Sequence, residues 1–172
     1  MTNVALTVIG EDRPGLVSAL AAVVGDHGGN WLDSKMARLA GQFAGVALVD
    51  IPDDRLFEFE DALGLACSSS GLEVLVRRTG AGAADGTKLA MSLVGQDRPG
   101  IVRLVSQTLA GIGVTIDDLQ TSTCDAPWGG GTLFQAEAAI RMPAAVDEDT
   151  VRTALESLAN ELMVDLEVAQ AS

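Results

Sequence analysis

Val8-Ile9-Gly10-Glu11-Asp12-Arg13-Pro14-Gly15-Leu16-Val17 returns as Leu93-Val94-Gly95-Gln96-Asp97-Arg98-Pro99-Gly100-Ile101-Val102. In each copy an apolar run enters Gly, an acid or amide, then Asp-Arg-Pro-Gly, and a second apolar run leaves. One copy reads as a turn; two copies read as a tandem repeat of one small domain. The 172 residues are enough for two such domains. We place domain 1 at residues 1–78, a linker at 79–87 centred on Gly80-Ala81-Gly82-Ala83-Ala84-Asp85-Gly86, and domain 2 at 88–172. Small domains bury a small share of their surface, so each half is expected to lean on its twin or on a second chain.

Working outward from the first copy, Val4 to Ile9 is a β-prone run that stops at Gly10. Pro14 suits a first helical turn, where its missing N–H costs nothing. Leu16, Val17, Leu20, Val23, Val24 and His27 then recur at helical spacing until Gly28-Gly29. Asn30 to Ala40 reads as a strand; simple alternation puts Trp31, Asp33, Lys35 and Ala37 on one face and Leu32, Ser34 and Met36 on the other. Gly41-Gln42 turns the chain into a return strand from Phe43 to Ile51. Pro52-Asp53-Asp54 opens a second helix carrying Leu56, Phe59, Leu63 and Ala66, and Leu72 to Val76 closes the unit. The second half repeats the order, with strands at 88–94, 114–123, 132–142 and 162–168 and helices at 99–111 and 148–160. The fold class is therefore α+β: two βαββαβ domains on the ferredoxin-like plan, each an antiparallel sheet with both helices on one face. The bare sheet faces and open edges call for cover, so a homo-oligomer is expected.

Composition limits the partners. Net charge is −13, and both halves share the acidity: six Lys/Arg face eleven Asp/Glu in residues 1–80, and five face thirteen in 81–172. Phosphate backbones and anionic lipids need basic clusters, and Arg77-Arg78 is the densest spot here, so neither direct nucleic-acid nor membrane binding is expected. No run reaches the ~20 apolar residues that span a bilayer, and Met1-Thr2-Asn3-Val4 lacks the basic lead of a signal peptide. Cys67 and Cys124 fall at non-equivalent places and read as reduced, space-filling thiols of a cytoplasmic protein.

No catalytic constellation is evident. His27 is the one histidine, and its repeat partner is Ile112; a helix-end packing residue is the plain reading, since no base or nucleophile pairs with it in sequence. One His and two scattered Cys do not make a usual zinc set, and Asp53-Asp54, Asp117-Asp118 and Asp147-Glu148-Asp149 do not match a calcium loop. Asp53 and Asp147 sit where helices start and read as caps. There is no Gly-x-Gly-x-x-Gly or Gly-x-x-x-x-Gly-Lys, so no cofactor, metal or catalytic residue is expected. What remains are the paired turns. Helix-start N–H groups suit a carboxylate, Gly15 and Gly100 allow close approach, and Asp12 and Asp97 offer a partner for an ammonium group. A turn of that kind suits both ends of a free amino acid; the same residues also serve as plain folding punctuation. Asn30 and Thr115 open the second strand of each half; Asn30 reads either as a contact to a small polar ligand at a domain or subunit seam or as a turn residue after Gly28-Gly29.

Asp-Arg-Pro-Gly-Leu/Ile-Val between strand and helix, a helix ending in Gly, and a strand opening Asn30-Trp31 or Thr115-Ile116 together resemble the ACT domain, a small regulatory fold that commonly binds amino acids. Two such domains with nothing else are similar to the glycine cleavage system transcriptional repressor group. The resemblance implies a non-enzymatic protein that binds a small amino acid, glycine or similar, and controls amino-acid metabolism through a partner transcription factor. A ligand-free interaction module and a regulatory subunit of a separate enzyme are the alternatives. It implies ligand contacts, at an interface between domains, from Asp12, Gly15, Leu16 and Asn30 in the first half and from Asp97, Gly100 and Ile101 in the second. Thr115 in place of Asn weakens the case for an equal second site. The second half also carries an insertion, Cys124 to Gly131, whose Trp128 reads as a partner contact, a lid or a residue packed on its own domain.

Overall fold

The computed structural model describes residues 1–80 and 85–171. The centre of the expected linker, residues 81–84, lies outside the described residues. The chain divides into two compact units, Met1–Ala83 and Ala84–Ser172. Unit 1 runs β1 (Thr2–Glu11), α1 (Leu16–Asp26), β2 (Asn30–Leu39), β3 (Gln42–Ile51), a 3-10 turn at Asp53–Arg55, α2 (Leu56–Ser70) and β4 (Leu72–Arg78). Unit 2 repeats it as β5 (Thr87–Gln96), α3 (Ile101–Gly111), β6 (Thr115–Asp125), a 3-10 turn at Pro127–Gly129, β7 (Thr132–Met142), α4 (Glu148–Leu162) and β8 (Val164–Gln170). The strands form two antiparallel sheets, ordered β2-β3-β1-β4 and β6-β7-β5-β8. This is the βαββαβ plan in both halves.

Each core lies between one sheet face and its two helices. In unit 1, Val4, Leu6 and Val8 of β1 meet Leu16, Leu20 and Val24 of α1 and Leu56, Phe59, Leu63 and Cys67 of α2. Unit 2 answers with Leu89, Met91 and Leu93 against Ile101, Val105 and Leu109 of α3 and Val151, Leu155 and Leu158 of α4. Full burial of one such side chain is worth about 1.5–3 kcal/mol, so these alternating and helical patterns carry the fold. Val17, expected on the inner face, is exposed.

Three local expectations are corrected. The helices start later than the prolines suggest: Gly15 and Gly100, at φ 89° and 92°, are the residues that precede α1 and α3, so Pro14 and Pro99 belong to the turn. Asp53 does not cap α2; its carboxylate accepts from the α-amino group of Met1 at 3.0 Å and from Thr2 Oγ1 at 2.5 Å. Those two donors, Thr2 first, hold its pKa below the usual 3.8. Strict alternation in β2 also fails. A bulge between Trp31 and Asp33 absorbs Leu32, so Trp31 and Met36 both pack against the core. β6 bulges at the twin place, between Ile116 and Asp118, and the bulged Asp117 pairs with Arg141 of β7.

The remaining punctuation is as expected. Asp147 caps α4, accepting from Thr150 N–H at 2.7 Å, and this bond lowers its pKa. Pro52 and Pro143 sit at twin corners, where Arg55 and Val146 donate to their carbonyls at 2.9 and 3.0 Å. Cys67 is buried, and burial pushes its thiol pKa up; Cys124, expected as filler, is exposed.

Candidate functional site

The candidate site is the strand-to-helix turn of each unit. It forms because Gly15 adopts a left-handed conformation that a side chain resists. The chain is thereby turned into α1, whose first internal bond is Ala19 N–H to Gly15 C=O at 2.9 Å. No side chain caps α1, and its first turn holds no acid. The N–H groups of the first turn therefore lack internal partners and present the positive end of the helix dipole. The twin in unit 2 is nearly superposable in its torsions: Gly100 φ 92°, Leu104 N–H to Gly100 C=O at 3.0 Å, no cap and no acid. A Cβ built on either glycine meets nothing within 4 Å. Both positions are exposed, so these helix starts are open to a small anion.

Asp12 and Asp97 flank the turns. Each backbone N–H donates to the hairpin beyond the second strand, Asp12 to Gly41 C=O at 3.0 Å and Asp97 to Thr132 C=O at 2.8 Å. Their carboxylates differ. Asp12 Oδ2 accepts from Arg38 Nη1 at 3.2 Å. Arg38 lies opposite Phe43 in β3, and the residue opposite Phe134 in unit 2 is Thr123. Asp97 therefore has no matching cation and makes no ion pair among the described residues. Arg13 lies 3.5 Å from Glu11, and its guanidinium packs over Gly71 at the C-terminal end of α2, where a cation suits the dipole. Sequence reading missed both arginines. Only the hairpin register brings Arg38 back to Asp12, and no local signal marks it.

The other expected contacts separate. Leu16 and Ile101 are buried in the two cores, so their side chains are out of reach and only their N–H groups face the turn. Asn30 is exposed and its N–H donates to Asp50 Oδ1 at 3.1 Å. It pairs across from Asp50, whereas Arg38, beside the turn, pairs with Phe43. Seven residues of β3 separate those rows, roughly 24 Å. Asn30 and Gly15 thus stand at opposite ends of one sheet and do not form one site within unit 1. Thr115 stands at the same far end of unit 2, opposite Arg141.

The insertion rises at the turn end of unit 2. Ala126 N–H donates to Gly131 C=O at 2.7 Å and closes its base. Trp128 is fully exposed, at φ 65°. His27 donates from Nδ1 to Val23 C=O at 2.8 Å and meets Phe59 edge-on at 6.0 Å; both partners are structural. A small apolar cavity of about 20 Å³ lies beneath the start of α3, lined by Met91, Val105, Ile116 and Phe134 among others. Its walls are apolar and its size suits about one water, so it is no amino-acid pocket. Ile116 and Val105 occupy the places that Trp31 and Leu20 fill in unit 1. Among the described residues no group of three His, Cys, Asp or Glu is placed to hold a metal ion. Nor is any helix long and apolar enough to cross a membrane.

Residues 2–77 match the family model of the ACT domain. This segment belongs to the ACT-domain family. Across its whole length this ACT-domain protein is similar to an unknown protein from Galdieria sulphuraria, with 30% identity, 99% of both chains covered and a TM-score of 0.85. Its fold is also that of a solved candidate glycine cleavage system transcriptional repressor, at 18% identity, 99% and 98% coverage and TM-score 0.76. A UPF0237 protein of Methanopyrus kandleri is 35% identical over 79 residues, which is 45% of this chain and 88% of that one.

Proposed function

We propose that this ACT-domain protein is a non-enzymatic cytoplasmic regulator that binds a small amino acid, glycine or similar, at its strand-to-helix turns. The observation that carries the reading is the pair of open, uncapped helix starts behind left-handed Gly15 and Gly100. The carboxylate of the ligand accepts from the first-turn N–H groups, and the ammonium pairs with the flanking Asp. On that chemistry unit 2 is the stronger site. Asp97 has its carboxylate uncommitted, while Asp12 already faces Arg38. Thr115 does not count against unit 2, because Asn30 and Thr115 both stand away from the turns.

Binding acts on a partner only if the ligand favours one state of the protein over another. The partner is another regulatory protein or enzyme in amino-acid metabolism, glycine cleavage included. The fully exposed Trp128, on the loop beside the unit 2 turn, supports docking to a protein, since tryptophan is enriched among interface anchors.

Calorimetry of the full chain against the common amino acids tests this. A small amino acid is expected to bind, with Asp97→Asn weakening it at least about tenfold and Asp12→Asn much less. Absence of binding by every amino acid to the folded chain overturns the ligand reading and leaves an interaction module.

A further inference from the structure

In both units the helices cover one face of the sheet, and the two opposite faces differ in chemistry. The central row across that open face reads Lys35–Val46–Thr7–Leu75 in unit 1. The same row in unit 2 reads Gln120–Glu137–Ser92–Glu167. Val46 and Leu75 of unit 1 are thus replaced by glutamates. Val46 and Ile9 are each 49% exposed and Leu75 is 52% exposed. Apolar side chains grouped in this way on a sheet face mark a contact surface. The row beside it runs Asp33–Leu48–Ala5–Arg77, with opposite charges on the two edge strands.

We propose that the open sheet face of unit 1 packs on the same face of a second copy of this chain, about a two-fold axis running along the strands between β1 and β3. Such an axis exchanges β2 with β4 and β3 with β1. Asp33 then meets the partner's Arg77, and Arg77 meets the partner's Asp33. Val46 lies over the partner's Thr7 and Leu48 over the partner's Ala5. The contact is isologous and closes at two copies. Strands pack within about 30° of each other when sheets stack about 10 Å apart, a separation that Arg and Asp side chains bridge. Four strands at ~4.8 Å spacing and some nine residues at ~3.4 Å give roughly 600 Å² per copy. The total of roughly 1,200 Å² reaches the lower end of stable interfaces. The same operation on unit 2 sets Glu137 over the partner's Ser92 and Glu167 over the partner's Gln120, and Asp118 falls opposite the partner's Ala169. No opposite charges meet there and the central row would bury two glutamates in the contact, which assigns the contact to unit 1.

Sedimentation of the full chain across a range of concentrations reads the association. A dimer is expected. Val46→Glu, which copies Glu137, raises the dimer dissociation constant at least about tenfold while circular dichroism stays unchanged. Asp33→Arg and Arg77→Asp each raise it several-fold, and the double exchange brings it back toward the starting value. A monomer at every concentration overturns the proposal. So does a dimer that Val46→Glu leaves intact, or a double exchange no better than either single change.

Discussion

Arg38 and Asp12 stand 26 residues apart in sequence and meet at 3.2 Å across the top of the unit 1 sheet. The contact exists because the β2–β3 hairpin returns Arg38 to the row opposite Phe43, beside the turn that carries Asp12. Thr123 occupies the place in unit 2, so two turns with one sequence motif have different electrostatics. Arg38 is largely exposed, so solvent screens the pair. Arg38→Thr is expected to change stability in urea by no more than about 0.5 kcal/mol.

Gly10 and Gly95 are glycine for space rather than torsion. A Cβ on Gly10 would stand 2.5 Å from the Gly71 carbonyl oxygen, and one on Gly95 would overlap the side chain of Val164. Gly10→Ala and Gly95→Ala are expected to cost about 1–3 kcal/mol each in urea unfolding, with Gly10→Ala the worse because a carbonyl cannot rotate away. Gly64, inside α2 with open space around its would-be Cβ, is the control. Gly64→Ala is expected to stabilise by about 0.5–1 kcal/mol.

Met163 ends α4 in the left-handed region at φ 54°, where its twin Gly71 ends α2 at φ 72°. Met163 is exposed and contributes little packing. Met163→Gly is therefore expected to stabilise unit 2 by about 1 kcal/mol, seen as a higher urea midpoint at unchanged slope.

The cavity beneath α3 reflects Val105 and Ile116 standing where unit 1 has Leu20 and Trp31. Val105→Leu adds one methylene toward that space. Unfolding in urea is expected to show a gain of up to about 1 kcal/mol.

Asp147 supplies a pH dependence. Its hydrogen bonds from Thr150 lower its pKa in the folded state below the usual 3.8. A depressed folded value means the cap contributes fully above the unfolded pKa and is lost as pH falls through the folded one. Asp147→Ala is expected to lower Tm near neutral pH, and the two proteins should converge as pH falls below 3.8 and through the lowered folded-state pKa.

Much of this architecture was legible from residues alone. The duplicated Asp-Arg-Pro-Gly turn, the alternating strands and the 3.6-residue helix faces are local signals, and they specify two βαββαβ units because backbone torsion and side-chain period act over a few residues. The turns were legible as candidate ligand positions for the same reason. Other features depend on contacts distant in sequence. The bulge at Leu32 sets Trp31 and Met36 on one face; nothing in the alternation reveals it, because a bulge is selected by packing against β3 and the helices. Only the strand register shows that within unit 1 Asn30 lies at the far end of the sheet from Gly15, so that the two can share a ligand only across a seam.

The chain's own residues thus determined the element order, the repeat and the helix starts left open for an anion, since each rests on local torsional preference and hydrophobic period. Tertiary structure alone decided which Asp is already paired, which candidate residues lie at the same end of a sheet, and that the central row of one open sheet face carries Val46 and Leu75 where its twin carries Glu137 and Glu167. Those properties belong to strand register, and register is set by the burial of side chains from distant segments.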